Sequence, residues 1–157
     1  MKLEDLITEA FAARPRPDPV VVVGHPETNE YLEALQFRNY DCTVTTCDLW
    51  SKFSDAIYGF CPQAFCYYLP GMLRSQLVED RPDLLINSSV IAMLDRSDSV
   101  EYWDSFFIER WPLLTRQECL AVQEWVLWLS FKQTGIFSES SLTRAYETLE
   151  ILASPAR

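Results

Sequence analysis

Apolar residues recur three and four positions apart along almost the whole of this chain, a spacing that lines one face of a helix. Leu3, Leu6, Ile7, Ala10 and Phe11 predict a helix over Lys2–Ala13. Tyr31, Leu32, Leu35 and Phe37 extend a second through Pro26–Arg38. Leu49, Trp50, Phe53, Ala56, Ile57 and Phe60 make a third, with Thr46 or Asp48 near its cap. Pro62 opens a fourth, which carries Phe65, Tyr68, Leu69, Met72, Leu73 and Leu77 on one stripe. Pro70 falls inside that stripe. Its ring should strain against the Cys66 carbonyl and remove one hydrogen bond, which predicts a kink or break there.

The second half continues in the same way. Leu84–Leu94 is apolar but interrupted by Asn87-Ser88-Ser89, which suggests two short pieces around a turn. Asp98-Ser99-Val100-Glu101 has capping-box form and should open a helix through Trp103, Phe106, Phe107 and Trp111, stopped by Pro112. Thr115-Arg116-Gln117-Glu118 is a cleaner capping box before Cys119–Phe131. That segment is apolar on almost every face and reads as the central buried helix. Leu142, Ala145, Tyr146, Leu149 and Leu152 mark a last helix over Ser138–Ala153.

The breaks are as informative as the stripes. Arg14-Pro15-Arg16-Pro17-Asp18-Pro19 cannot continue a helix, because its prolines remove donors and push their predecessors into extended geometry. Val20–Val23 is β-branched and ends at Gly24, so it reads as a small strand or an extended connection, with Asn39–Thr46 as a loop or partner strand. The expectation is a mainly α fold, a single domain over residues 1–157 with about seven helices, and an optional two-stranded β element near residues 20–24 and 42–47.

With 157 residues, of which 48% are hydrophobic, one such domain needs no metal or disulfide staple, since it buries roughly 70% of its unfolded surface. No apolar run is long enough for a membrane span, and the acidic start Met1-Lys2-Leu3-Glu4-Asp5 lacks the core of a secretory signal. The formal net charge is −10, spread over both halves. A field of that sign repels nucleic acid and anionic lipid and speeds encounter with basic partners.

The five cysteines, Cys42, Cys47, Cys61, Cys66 and Cys119, are an odd number without an export signal, which predicts reduced thiols in the cytoplasm. Cys42-x4-Cys47 and Cys61-x4-Cys66 lack the usual knuckle spacing of zinc sites. Residues five apart on a helix point about 140° apart, so the second pair should not share a metal. No metal or other cofactor is expected. His25, the only histidine, sits in a loop between Gly24 and Pro26 and would have to be the base of any Cys–His mechanism.

Carboxylates at Asp95, Asp98, Glu101 and Asp104 recur every three residues, with Glu109 beyond them. They lack the glycine and alternating ligands of a calcium loop, and Asp98 and Glu101 suit a helix start. Trp103 and Trp111 lie among them beside Pro112, where partial exposure would let the indoles anchor a partner. Asp95, Asp98, Glu101, Trp103, Asp104, Glu109 and Trp111 are therefore the candidate contact residues.

Phe65-Cys66-Tyr67-Tyr68-Leu69-Pro70-Gly71-Met72-Leu73, followed by Leu114-Thr115-Arg116-Gln117 and preceded by Phe11-x-x-Arg14-Pro15, resembles a bacterial family of small uncharacterised proteins marked by a Tyr-Tyr-Leu-Pro segment. The resemblance runs from about Leu6 to Leu129 and implies fold rather than site. Together these features lead us to expect a non-enzymatic acidic module that binds a basic protein, most specifically an immunity or inhibitor protein acting on a toxin or enzyme. It would engage neither nucleic acid nor membrane, as a monomer or homodimer. The alternatives are a small cysteine-dependent enzyme using Cys42 or Cys47 near His25, and a structural homodimeric subunit.

Overall fold

Nine α-helices and four short 3-10 turns make up residues 1–155, the part that the computed structural model describes, and no strand occurs among them. The helices are α1 (Leu3–Ala10), α2 (Asn29–Leu35), α3 (Cys47–Lys52), α4 (Ala56–Gly59), α5 (Pro62–Glu79), α6 (Ile86–Leu94), α7 (Ser105–Arg110), α8 (Arg116–Lys132) and α9 (Glu139–Ala153). The 3-10 turns are Gln36–Asn39, Cys42–Val44, Val100–Tyr102 and Trp111–Leu113.

The fold is organised around α5 rather than around the segment Cys119–Phe131 expected at the centre. Ten consecutive residues of α5, Ala64 to Leu73, are buried, so the helix is covered on every side. By contrast α8 keeps an outward edge, with Leu120 38% and Phe131 79% exposed. The helix α5 runs unbroken through Pro70, where a kink or break was expected. Its next residue explains how. A Cβ on Gly71 would stand 2.5 Å from the Cys42 carbonyl oxygen and 2.6 Å from Thr45 Oγ1, so the turn after Asp41 lies directly against the helix backbone. Packing on that side holds a helix that local preference would interrupt.

No β element forms near residues 20–24 and 42–47. Asp41 accepts a hydrogen bond from Thr43 N at 3.0 Å and winds Cys42–Val44 into a 3-10 turn; Thr46 then caps α3 by accepting from Leu49 N at 3.2 Å. Val20 and Val21 are instead a buried plug, fixed by Cys61 N donating to the Val20 carbonyl at 2.9 Å. The single helix expected over Leu49–Phe60 is two, α3 and α4, because Glu33 of α2 accepts from Asp55 N at 3.1 Å and turns the chain between them. Both pieces still deliver Trp50, Ala56, Ile57 and Phe60 to the core.

Asn87 does not mark a turn. It lies inside α6, fully buried, with its amide paired reciprocally to that of Gln76 on α5 at 2.8 and 2.7 Å. The helix expected from Asp98 begins later, at Ser105, because Asp104 and not Asp98 accepts from the amide three residues on, Phe107 N at 2.9 Å. The Thr115–Glu118 capping box forms as read. Glu118 is also the buried end of a fork: Arg14 donates to its two oxygens at 2.9 and 2.6 Å and to the Leu113 carbonyl at 2.6 Å. That pair ties the segment after α1 to the start of α8.

An aromatic knot closes the other side of α5. The hydroxyl of Tyr68 donates between the Phe37 and Tyr40 carbonyls, at 2.7 and 2.9 Å, while its ring stacks on Phe60 at 5.1 Å. Burial pushes that hydroxyl up to about 12.

The Gln76–Asn87 pair is the sharpest test of this packing. Replacing either amide alone by leucine strands its partner and should cost about 1–3 kcal/mol in urea unfolding. The Gln76→Leu/Asn87→Leu double variant should cost clearly less than the two singles together. Strict additivity, or single costs within measurement error, would show that the two amides are not coupled.

Candidate functional site

The carboxylates proposed as a contact face are mostly engaged within the fold. Asp95 is held by Arg144 of α9, which also donates from Nη2 at 3.1 Å. The Arg144 guanidinium holds the Asp95 carboxyl below its ordinary range. Asp104 caps α7 and pairs with Arg96, and Glu109 lies 3.5 Å from Arg110. Asp98 and Glu101 are exposed and form no ion pair among the described residues.

The two indoles are not partly exposed, as the sequence suggested. Trp103 is 6% exposed with Nε1 donating to the Ser97 carbonyl at 2.9 Å, and Trp111 is fully buried. They build core around Phe107 and Phe65, at 4.9 and 5.2 Å. A hydrophobic ring in reach of core aromatics gains more by burial than by waiting for a partner. Of the segment's aromatic residues only Tyr102 stands well out, 75% exposed.

The thiols are largely enclosed. No disulfide forms among the described residues; Cys42 is half-buried and the other four are buried. Burial pushes Cys47 and Cys66 up to about 11 and raises Cys42 above its ordinary value, with Asp41 adding to the rise at Cys42. His25 stacks on Tyr31 at 6.2 Å, and its Nδ1 lies 2.9 Å from the Pro26 carbonyl. Among the described residues no group of three or more His, Cys, Asp or Glu side chains is placed to hold a metal ion, and no helix is long and apolar enough to cross a membrane.

A different surface combines acidity with exposed apolar area. The last turns of α8 and the outer face of α9 enclose a groove of about 860 Å³. Phe131, Phe137, Leu142 and Tyr146 supply its apolar lining, and Glu139, Glu147 and Glu150 its charge; among the described residues no lysine or arginine lines it. None of those three carboxylates is in an ion pair among the described residues. Two cations carried by α8 and α9 have partners of their own: Arg144 bonds Asp95, with a smaller pull from Glu147, and Lys132 donates to Asp80 at 2.6 Å.

The sequence does not show this groove, because Phe131 ends a segment, Cys119–Phe131, that is apolar on almost every face and reads as buried. A signal was present: Glu139, Thr143, Glu147 and Glu150 follow helical spacing and put one polar, acidic edge beside Leu142 and Tyr146. No protein-family model matches the chain, and no curated protein or solved structure matches it.

The thiol environments give a direct expectation. Since each of these shifts favours the protonated form, iodoacetamide near pH 6 should modify native Cys42 slowly and Cys47 and Cys66 only on unfolding. Rapid single-site alkylation at that pH would identify a thiolate that this geometry does not provide, and would favour a cysteine enzyme.

Proposed function

We propose that this chain is a non-enzymatic acidic protein-binding module, and that the groove between α8 and α9 receives a basic, amphipathic segment of a partner protein. One observation carries the reading: an apolar groove edged by Glu139, Glu147 and Glu150, with no basic residue lining it among the described residues. An occupant must bring apolar side chains to Phe131 and Tyr146 and cations to the three carboxylates. A neutral or acidic segment would leave those charges partly desolvated and unpaired.

The net charge of −10 supports the same partner, because it accelerates approach of a basic protein and opposes nucleic acid and anionic membrane. The specific form we favour is an inhibitor or immunity protein that neutralises a basic toxin or enzyme. It would act as a monomer or homodimer, without cofactor, in the cytoplasm, where unbridged thiols are stable. Kinship with the Tyr-Tyr-Leu-Pro family is part of the same proposal. Its short segments here fall at the end of α1, on α5 and at the start of α8.

A synthetic Leu/Lys amphipathic helical peptide is a suitable probe. It should bind saturably, with association slowing between low and physiological salt while dissociation changes much less. Phe131→Ser and the Glu147→Lys/Glu150→Lys variant should each weaken binding by about tenfold or more, a loss of about 1.4 kcal/mol. The Asp98→Lys/Glu101→Lys variant, which reverses the two open carboxylates of the other segment, should change it little. Binding indifferent to the groove variants would remove this site. A larger loss from Asp98→Lys/Glu101→Lys would return the contact to residues 95–109.

A further inference from the structure

Three of the chain's ten arginines face one cleft, although the chain as a whole carries a charge of −10. The cleft, of about 390 Å³, lies between the segment after α1, the 3-10 turn Cys42–Val44 and the middle of α5. Arg14, Arg16 and Arg74 line it from two sides, and Phe11, Pro70 and Gly71 form apolar wall. Its size falls in the range of small-molecule sites.

The three guanidinium groups are not equivalent. Arg14 is spent on Glu118, which takes both of its forked donors. Arg16 donates to the Arg38 carbonyl at 2.8 Å and Arg74 to the Thr43 carbonyl at 3.2 Å, and neither is in an ion pair among the described residues. A guanidinium has five N–H donors, so one carbonyl leaves each of these with capacity for an oxyanion. Asp41 is the single carboxylate lining the cleft, and it is already occupied, accepting from Thr43 N at 3.0 Å and Thr43 Oγ1 at 2.8 Å. Those bonds, with a smaller contribution from the charge of Arg16, hold its carboxyl below the ordinary range, so Asp41 is ionised near neutral pH and offsets part of the positive charge of the two free guanidinium groups.

We propose that this cleft binds a small organic anion, whose carboxylate or phosphate is held by Arg16 and Arg74 and whose apolar part lies against Phe11 and Pro70. The Pro70 ring presents apolar surface at this point and carries no N–H. Cys42 and Tyr67 close the floor, with the Tyr67 hydroxyl accepting from Cys42 N at 3.3 Å. Burial pushes the Tyr67 hydroxyl up to about 12, so it adds no negative charge at neutral pH. The cleft is separate from the α8–α9 groove and does not depend on it.

Titration calorimetry on the full chain tests this with four probes: phenyl phosphate, benzoate, inorganic phosphate and neutral benzyl alcohol. One aromatic anion should bind saturably at a single site, more tightly than inorganic phosphate and than benzyl alcohol. Arg16→Gln and Arg74→Gln should each weaken it by about tenfold or more. Arg116→Gln removes the same charge from an exposed position outside the cleft and should leave binding unchanged. Tighter binding of phenyl phosphate would identify a phosphorylated ligand, and of benzoate a carboxylic acid. The proposal is overturned if neither aromatic anion saturates, or if Arg116→Gln weakens binding as much as the cleft variants. Equal binding of inorganic phosphate and phenyl phosphate would likewise overturn it, since the apolar wall would then contribute nothing. Should Arg74→Gln unfold the domain by circular dichroism, the exposed Arg16→Gln variant alone decides.

Discussion

Covering α5 on all sides is the constraint from which the rest of this structure follows. A helix buried from Ala64 to Leu73 on every face cannot be satisfied by one packing partner. It needs a coat, and the coat must be assembled from short elements able to change direction around a cylinder. That is why α3, α4 and α7 have only six, four and six residues, and why 3-10 turns connect them. The same demand accounts for small residues at close approaches. At Gly59 a Cβ would sit 2.0 Å from the Glu30 carbonyl oxygen, so α4 and α2 touch through backbone.

Full enclosure also sets a polar problem, since every donor and acceptor near α5 must be answered internally. Ser75 turns its hydroxyl to the Met72 carbonyl at 2.9 Å, and Gln76 finds Asn87. Arg110, 7% exposed, reaches the Phe60 carbonyl at 2.9 Å and lies 3.9 Å from the Phe106 ring centroid. Burial lowers its affinity for the proton, yet an arginine remains charged, so these contacts are what make its position tolerable. Its Nε and the indole N–H groups of Trp50, Trp111 and Trp125 are buried without a hydrogen-bond partner. Each costs free energy that apolar packing of large rings offsets.

Helical class and most stripes were legible in the sequence because they depend on spacing alone. The Thr115 capping box and the Thr46 cap were legible because local chemistry settles them. Elsewhere a distant partner decided. Pro70 was expected to break its helix, but the turn packed against Gly71 holds it. Asn87 looked like a turn signal only because Gln76, its partner on another helix, is invisible in a linear reading. The capping form at Asp98 lost to Asp104, whose pairing with Arg96 fixes that end of the chain. Exposure was the least legible property. Nothing in the spacing of Trp103 and Trp111 distinguishes an indole that packs inward from one that faces solvent, and the carboxylates beside them pointed the wrong way.

Net charge describes such a molecule poorly at short range. The Debye length is about 8 Å at physiological ionic strength, so beyond that distance exposed charges barely sense one another. Within it, the arrangement decides. Among the described residues, Glu139, Glu147 and Glu150 share one groove without a cation lining it, while Arg16 and Arg74 share a cleft whose one lining carboxylate is bonded to Thr43. An excess of ten negative charges therefore does not prevent a local positive site, provided its arginines are kept from the carboxylates around them. Backbone carbonyls of Arg38 and Thr43 orient the two guanidinium groups without neutralising them, and Asp41, bonded to Thr43, feels the charge of Arg16 without forming an ion pair with it. A carboxylate in either place would orient an arginine equally well and cancel its field. Orientation by a neutral acceptor is the arrangement that leaves a charge available, and it separates these two arginines from Arg14, whose charge is consumed in joining α8 to the start of the chain.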